Sequence, residues 1–285
     1  MRVPRRRLLL IAAPVSAFCV LVCIGAVSLL LSGRGPAGLV LAVLKSPSVS
    51  SDGDLSNIMF LHHSTGHNLI EQGGVRERFA EKGYDFWDHG YNGAGVTRPD
   101  GTAAGFHYHV PDDNTDPDGL AHIFAQPEYG LPLNTFSGLL QHDVIAFKSC
   151  FPVSDIASDE QLALYKEYYQ SIRNVMDGHP DKVFIVLTPP PLNPAETDAE
   201  TAGRARAYTD WLASDEFLDG HPNVFTFDFF DLLAEDDPAA SDYSMLREEY
   251  RNGTDSHPNV MANEAIGPIF VEFIVDAIDS YPGER

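Results

Sequence analysis

Residues 57–66 read Asn-Ile-Met-Phe-Leu-His-His-Ser-Thr-Gly, and the fold depends on this stretch. The run from Ile58 to Leu61 has the length and apolar character of a buried strand. Ser64 follows it closely, and a helical segment begins there. We therefore predict a strand-to-helix turn that carries Ser64 beyond the carboxyl end of the first strand, where ligands bind in open parallel sheets.

Further short apolar runs alternate with helical patterns along the rest of the chain. The additional predicted strands are 84–87, 144–147, 183–187 and 224–227. The clearest helical pattern repeats at Leu162, Tyr165, Tyr169, Ile172 and Met176. Pro268 is expected to kink the last helix or to delay its start. Alternation of strands and helices predicts a parallel sheet with helices on both faces.

The N-terminal part of the chain differs from the rest. Residues 1–7 are rich in arginine, and residues 8–31 form an uncharged apolar run. At about 1.5 Å per residue this run makes a helix of about 36 Å, enough to cross a bilayer. We predict that residues 1–34 are a cytoplasmic stub and a transmembrane anchor, with a cleaved signal sequence as the alternative.

The remaining residues divide into a tether and one domain. Residues 35–56 are rich in Gly, Pro, Ser and Asp and are expected to form a linker outside the cell. Residues 57–285 then form a single exterior domain. Within it, residues 96–142 lack clear periodicity and are expected to be a long insertion, a feature that is usually functional in compact domains.

The chain is strongly acidic, with a formal net charge of −22 at pH 7. Such a surface repels nucleic acids and anionic membrane faces, so we expect no nucleic-acid partner. Cys19 and Cys23 lie in the apolar segment, which leaves Cys150 alone in the exterior domain. An intrachain disulfide is therefore excluded there.

A histidine and a carboxylate that can serve Ser64 lie near the other end of the chain. Residues 255–259 read Asp-Ser-His-Pro-Asn, just before the last predicted helix. His257 can accept the serine proton, and Asp255 can hold the imidazole in its productive tautomer. A serine at a helix start often does no more than cap the helix, but the Asp-x-His segment favours a nucleophile.

These two segments resemble sequence blocks of the SGNH, or GDSL-type, hydrolases, a superfamily of esterases, lipases and carbohydrate deacetylases. The resemblance covers roughly Asn57 to Ile278. It implies a three-layer α/β/α, flavodoxin-like fold with a doubly wound parallel sheet of about five strands. It also implies that Ser64 is the nucleophile, because His-His-Ser stands here where the family usually has Gly-Asp-Ser.

Two further blocks of the family concern the oxyanion hole. Residues 91–95, Tyr-Asn-Gly-Ala-Gly, match the second block and imply Gly93 or Gly95 as a donor. The third block usually reads Gly-x-Asn-Asp, whereas residues 148–152 read Lys-Ser-Cys-Phe-Pro. Ser149 or a backbone N–H is the expected substitute for the missing asparagine. The last block is usually Asp-x-x-His, and here the acid, Asp255, precedes the histidine by two positions.

The histidines near Ser64 do not form a metal motif. His62 and His63 point to opposite faces of a strand, and no His-Glu-x-x-His sequence is present. We expect His63 to contact substrate and the enzyme to need no cofactor.

Residues 112–119, Asp-Asp-Asn-Thr-Asp-Pro-Asp-Gly, are a weak calcium candidate. Asn114, Asp116 and Asp118 offer oxygen ligands at alternate positions. Counted from Asn114, however, the twelfth residue is Ala125 where an EF-hand has glutamate. A turn in which these side chains cap local backbone groups is the alternative.

The sequence thus predicts a membrane-tethered extracellular serine esterase or deacylase. The acidic, aromatic-bearing insertion favours an acylated polar substrate such as a glycan ester. Acyl transfer to a sugar hydroxyl uses the same residues, so an acyltransferase is an open alternative. A catalytically silent glycan-binding module is another, because the third-block asparagine is missing.

Overall fold

Six strands form one sheet in the structure, a computed structural model that describes residues 35–45, 49, 53–90, 95–108, 110, 116–281 and 283. The strands are β1 (Asn57–His62), β2 (Asp85–Gly90), β3 (Gly95–Thr97), β4 (Val144–Lys148), β5 (Val183–Leu187) and β6 (Val224–Phe227). Their order is β3-β2-β1-β4-β5-β6. Every neighbouring pair is parallel except β2 with β3.

All five strands expected from the sequence are confirmed. The sixth, β3, was not expected, because three residues are too few to produce a periodic signal. It runs antiparallel along the edge and pairs Gly95 with Gly90. Without this strand the order is that of a flavodoxin-like doubly wound sheet.

Helices cover both faces of the sheet. They are α1 (Gly35–Lys45), α2 (Ser64–Gly73), α3 (Val75–Glu81), α4 (Pro117–Phe124), α5 (Thr135–Leu139), α6 (Asp159–Met176), α7 (Ala199–Leu212), α8 (Asp215–Leu218), α9 (Phe229–Leu233) and α10 (Val260–Ser280). Short 3-10 turns occupy Phe151–Ser154 and Glu248–Tyr250.

Side chains of β1 alternate between two separate cores. Met59 and Leu61 belong to the core beneath α4 and α6, whereas Ile58 and Phe60 belong to the core beneath α2 and α10. Every residue of β1 is buried, as expected for a strand covered on both sides. The result is a helix–sheet–helix sandwich, and α2 and α10 share one layer.

The insertion at 96–142 is more regular than the sequence predicts. It contains β3, α4 and α5, and the helices are short enough that their apolar spacing is hard to recognise. Leu120, Ile123 and Phe124 of α4 are buried, and the Phe124 ring lies 4.8 Å from that of Phe147 in β4. α4 therefore packs in the helical layer on this face of the sheet.

Part of the predicted linker is also helical. α1 spans Gly35–Lys45, Ala42 is fully buried in a core, and Lys45 Nζ donates to the Ala104 carbonyl at 2.7 Å. The apolar run at 8–31 lies outside the described residues. In the part of the chain that is described, no helix has both the length and the apolar character needed to cross a bilayer.

Candidate active site

Ser64 is the first residue of α2, at the carboxyl edge of the sheet. β1 pairs with β2 on one side and β4 on the other, and α2 and α6 pack on opposite faces, so the winding of the sheet reverses here. His63 before the helix has an extended backbone (φ −110°, ψ −161°). A Cβ atom at Gly66 would lie 2.5 Å from His62 Cβ, so the tight turn requires glycine there.

The structure brings Ser64 and His257 together. Ser64 Oγ lies 2.7 Å from His257 Nε2. The other ring nitrogen, Nδ1, lies 2.7 Å from Asp255 Oδ1. With its proton on Nδ1, the imidazole donates to the carboxylate and can accept the serine proton at Nε2.

Asp255 binds His257 twice. Its Oδ1 accepts from the His257 backbone N–H at 3.0 Å as well as from Nδ1. The backbone hydrogen bond contributes most, followed by the one from the ring, and together they lower the pKa of Asp255 below its ordinary value. The Asp255 side chain is 54% exposed, so this carboxylate lies at the protein surface.

The loop that carries Asp255 and His257 is held on both sides. Asn193 Nδ2 donates to the Asp255 carbonyl at 3.2 Å, and the Asn193 backbone N–H donates to Ser256 Oγ at 2.9 Å. Ser256 Oγ also bonds to Glu196. Beyond the loop, Asn259 caps α10 by accepting from the Ala262 N–H at 3.0 Å. These contacts fix the loop, and the ring is held within it by its hydrogen bonds to Asp255 and Ser64.

Close packing of α2 on α10 helps to set the distance between Ser64 and His257. The two helices meet at Gly73 and Gly267, where a Cβ on Gly267 would lie 2.3 Å from the Gly73 carbonyl oxygen. Asn263 Nδ2 of α10 donates to Gln72 Oε1 of α2 at 2.8 Å. The predicted delay at Pro268 does not occur, because α10 begins at Val260 and Pro268 lies inside it.

A cavity of about 410 Å³ opens beside Ser64. Its lining includes His62, His63, Ser64, Arg76 and Asp88. Polar and charged side chains therefore contribute to the wall of the space beside Ser64. The Phe151 ring packs edge-on against the His257 imidazole, with 5.2 Å between the ring centroids.

The fold is a known one. Among solved structures it is similar to that of a protein from Bacteroides fragilis provisionally described as an acylhydrolase. That match covers 86% of this chain and 99% of the other, at 10% sequence identity and a TM-score of 0.52. A protein from Streptococcus pneumonia provisionally described as a platelet activating factor matches over 89% of this chain and 98% of its own, at 13% identity and a TM-score of 0.48. No protein-family model and no curated protein matches the chain. At such low identity the likeness establishes the fold alone.

The residues predicted to bind the oxyanion or the substrate do not all lie beside Ser64. Gly93 lies outside the described residues. Gly95 has φ +72° and begins β3, and it pairs with Gly90, which lines the cavity. His63 also lines the cavity and is 3% exposed. The structure does not bring the Ser149 hydroxyl into this group, because it is fully buried and bonds to Tyr169 Oη at 2.7 Å.

The calcium candidate is described only in part. Asn114 lies outside the described residues. Asp116 precedes α4, and Asp118 Oδ1 accepts from the Gly119 N–H at 2.9 Å, a local capping contact. Within the described ranges, no three His, Cys, Asp or Glu side chains are arranged to hold a metal ion. Calcium binding at this segment stays a prediction.

Sequence reasoning missed an ionic network at the cavity. His62 Nε2 lies 3.0 Å from Asp88 Oδ2, and the Arg76 guanidinium binds Asp88 Oδ1. Arg76 also donates to the Phe86 and Arg98 carbonyls at 3.0 and 2.8 Å. Asp88 could have been noticed as a carboxylate at the end of a strand. Arg76 lies on a short helix and carries no such signal.

Proposed function

We propose that this chain is a serine esterase or deacylase of the SGNH type that works through an acyl-enzyme. The hydrogen-bonded chain from Ser64 through His257 to Asp255 carries the proposal, with 2.7 Å at each step. Nucleophile, base and orienting acid at hydrogen-bond distance are the arrangement that acyl transfer needs. The likeness to an acylhydrolase fold is compatible with it.

The proposed reaction has two steps. Ser64 Oγ attacks the acyl carbonyl while its proton passes to His257 Nε2, and Asp255 stabilises the resulting imidazolium. His257 then gives the proton to the departing alcohol. In the second step water attacks the acyl-enzyme by the same route and releases the acid and free Ser64.

The developing oxyanion needs donors. The Ser64 N–H at the start of α2 is one, since the first N–H groups of a helix have no partner within it and carry partial positive charge. A backbone N–H at Gly93 or Gly95 is the proposed second donor. Losing one such donor typically costs about 10²- to 10³-fold in rate, so two are expected.

The substrate we propose is a small acyl group on a polar molecule such as a glycan. The cavity beside Ser64 holds about 410 Å³ and is lined by charged groups that include Arg76, Asp88 and Glu71. Glu71 is exposed at the cavity, and a long lipid chain lying over its carboxylate would remove it from water, at a cost in free energy. We further propose that the domain is tethered outside the cell by the apolar run at 8–31.

The test is covalent labelling with a fluorophosphonate and hydrolysis of p-nitrophenyl acetate. The parent protein should be labelled at Ser64, and Ser64→Ala should lower kcat by about 10⁴-fold or more. Ser171→Ala, which removes an exposed serine hydroxyl from α6, is the matched control and should keep the parent rate. A folded parent protein that is not labelled at Ser64 would refute the proposal, and loss of activity with a chelator would indicate a metalloenzyme.

A further inference from the structure

His62 is a buried histidine whose two ring nitrogens both face acceptors. It is 2% exposed. Nδ1 lies 2.9 Å from the His63 carbonyl oxygen, and Nε2 lies 3.0 Å from Asp88 Oδ2. A neutral imidazole has one N–H and therefore satisfies only one of these contacts. Both contacts are satisfied when the ring carries two protons.

The second acceptor is an ionised carboxylate. Burial opposes the charge on Asp88, yet the hydrogen bond from His62 and the charges of His62 and Arg76 leave the pKa of Asp88 below its ordinary value. The Arg76 guanidinium contacts the same carboxylate and favours its ionised form, so the second proton is assigned to the ring. Arg76, Asp88 and His62 form a hydrogen-bonded chain that ends on the His63 carbonyl.

That carbonyl belongs to the same peptide group as the Ser64 N–H. A trans peptide is planar, and its C=O and N–H point in opposite directions. The His63 oxygen accepts from His62 Nδ1 and from the His67 N–H, both at 2.9 Å, so it points along α2. The Ser64 N–H then points out of the helix start.

We propose that His62 is a buried imidazolium that polarises the 63–64 peptide and thereby strengthens the Ser64 N–H as an oxyanion donor. A charge-assisted hydrogen bond to a carbonyl draws electron density from the N–H of the same peptide, and linked hydrogen bonds strengthen one another. His62 touches no substrate atom in this scheme and is a positioning residue. The proposal rests on the esterase function proposed above.

Two aromatic rings and a second carboxylate also lie near His62. The Phe60 ring packs at 5.2 Å and the His67 ring stacks at 6.3 Å between centroids. Glu71 lines the same cavity. Asp88 is the carboxylate in contact with the ring.

Nuclear magnetic resonance tests the charge directly. The side-chain nitrogen shifts of His62 should indicate a doubly protonated ring at pH 8. In the Asp88→Asn variant, His62 should lose a proton by pH 8, and the Ser64 amide proton should move upfield. A neutral His62 ring in the parent protein at pH 8 would overturn the proposal.

Kinetics test the consequence. His62→Gln should lower kcat and the fluorophosphonate labelling rate at Ser64 by about 10- to 100-fold, less than loss of a whole donor, with KM changed less than threefold. Asp88→Asn should act in the same direction, and His122→Gln is the control that should leave both rates unchanged. Each variant is first checked for its fold by circular dichroism.

The outcomes separate the two proposals. If Ser64 is labelled equally fast in the parent protein and in folded His62→Gln, the role of His62 is refuted and the esterase stands. If Ser64 is not labelled even in the parent protein, both fall.

Discussion

Asp255 holds the His257 ring from an exposed position. Its side chain is 54% exposed, whereas the His257 side chain is 34% exposed. The two hydrogen bonds from His257 keep the pKa of Asp255 below its ordinary value, so the carboxylate stays ionised as the pH falls toward the acid range. The orienting contact is therefore retained across the neutral and mildly acidic range.

Asp255→Asn should lower kcat by about 10²- to 10⁴-fold with little change in KM. The amide can present an N–H to His257 Nδ1 and so favour the wrong tautomer, an effect of about 10⁴-fold in a buried triad. Solvent access at Asp255 allows water to compensate in part. Steady-state hydrolysis of p-nitrophenyl acetate measures the effect, with exposed Asp219→Asn as the control. Parent-level kcat in Asp255→Asn would mean that the site works as a Ser–His dyad.

At the scale of elements, the site depends on two helices that touch at their glycines. α2 begins with Ser64, and α10 begins just after His257. Gly73 and Gly267 let the two backbones meet without side chains between them. The short distance between Ser64 and His257 is therefore a consequence of helix packing.

Gly267→Ala should both destabilise the protein and slow the enzyme. The added Cβ would lie 2.3 Å from the Gly73 carbonyl oxygen, so the helices must move apart, at a cost of about 1–3 kcal/mol. The same shift lengthens the contact between Ser64 and His257 and should lower kcat. Urea unfolding and ester hydrolysis measure the two effects.

Gly203→Ala is the matched control for this substitution. Gly203 lies in α7, and a Cβ there would meet no atom within 4 Å. Replacement should leave kcat unchanged and stabilise the protein by up to about 1 kcal/mol, because alanine favours a helix over glycine. Equal effects of the two substitutions on kcat would contradict the role given to the Gly73–Gly267 contact.

Stability of the whole molecule should depend on pH through two buried, neutral histidines. His142 Nδ1 donates to Asn57 Oδ1 at 2.6 Å, and its Nε2 accepts from Tyr108 Oη at 3.0 Å. His89 Nε2 accepts from the Tyr108 N–H at 3.2 Å. Burial, aided by the nearby charges of His107 and His62 for His89 and of Lys182 for His142, lowers the pKa of each from 6.5 to about 3.

The free energy of unfolding should therefore fall as the pH falls from about 6.5 toward 3. In that window the unfolded chain binds protons that the folded protein does not, which costs up to about 1.4 kcal/mol per pH unit for each histidine. Urea unfolding followed by tryptophan fluorescence between pH 4.5 and 7.5 measures the slope. His142→Gln should flatten it, and exposed His122→Gln should not. An unchanged slope in His142→Gln would show that other groups cause the acid sensitivity.

Much of the fold was predictable from neighbours along the chain. Apolar runs at 58–61, 144–147 and 183–187 indicated buried strands, and helical spacing between them indicated a parallel sheet. The same local reasoning put Ser64 on a turn. It missed β3 and the short helices of the insertion, because elements of three to eight residues contain too few turns for a period to appear.

The grouping of Ser64, His257 and Asp255 was predicted from residue types and a family resemblance, and tertiary packing supplied the distances between them. The sequence did not predict that Gly73 contacts Gly267. It also did not predict the contacts that link Arg76, Asp88 and His62. Periodicity and turn chemistry depend on adjacent residues, so they can be recognised in one dimension. The bond between Ser64 and His257 joins residues 193 positions apart, and such a contact exists only once the sheet and its helices have packed.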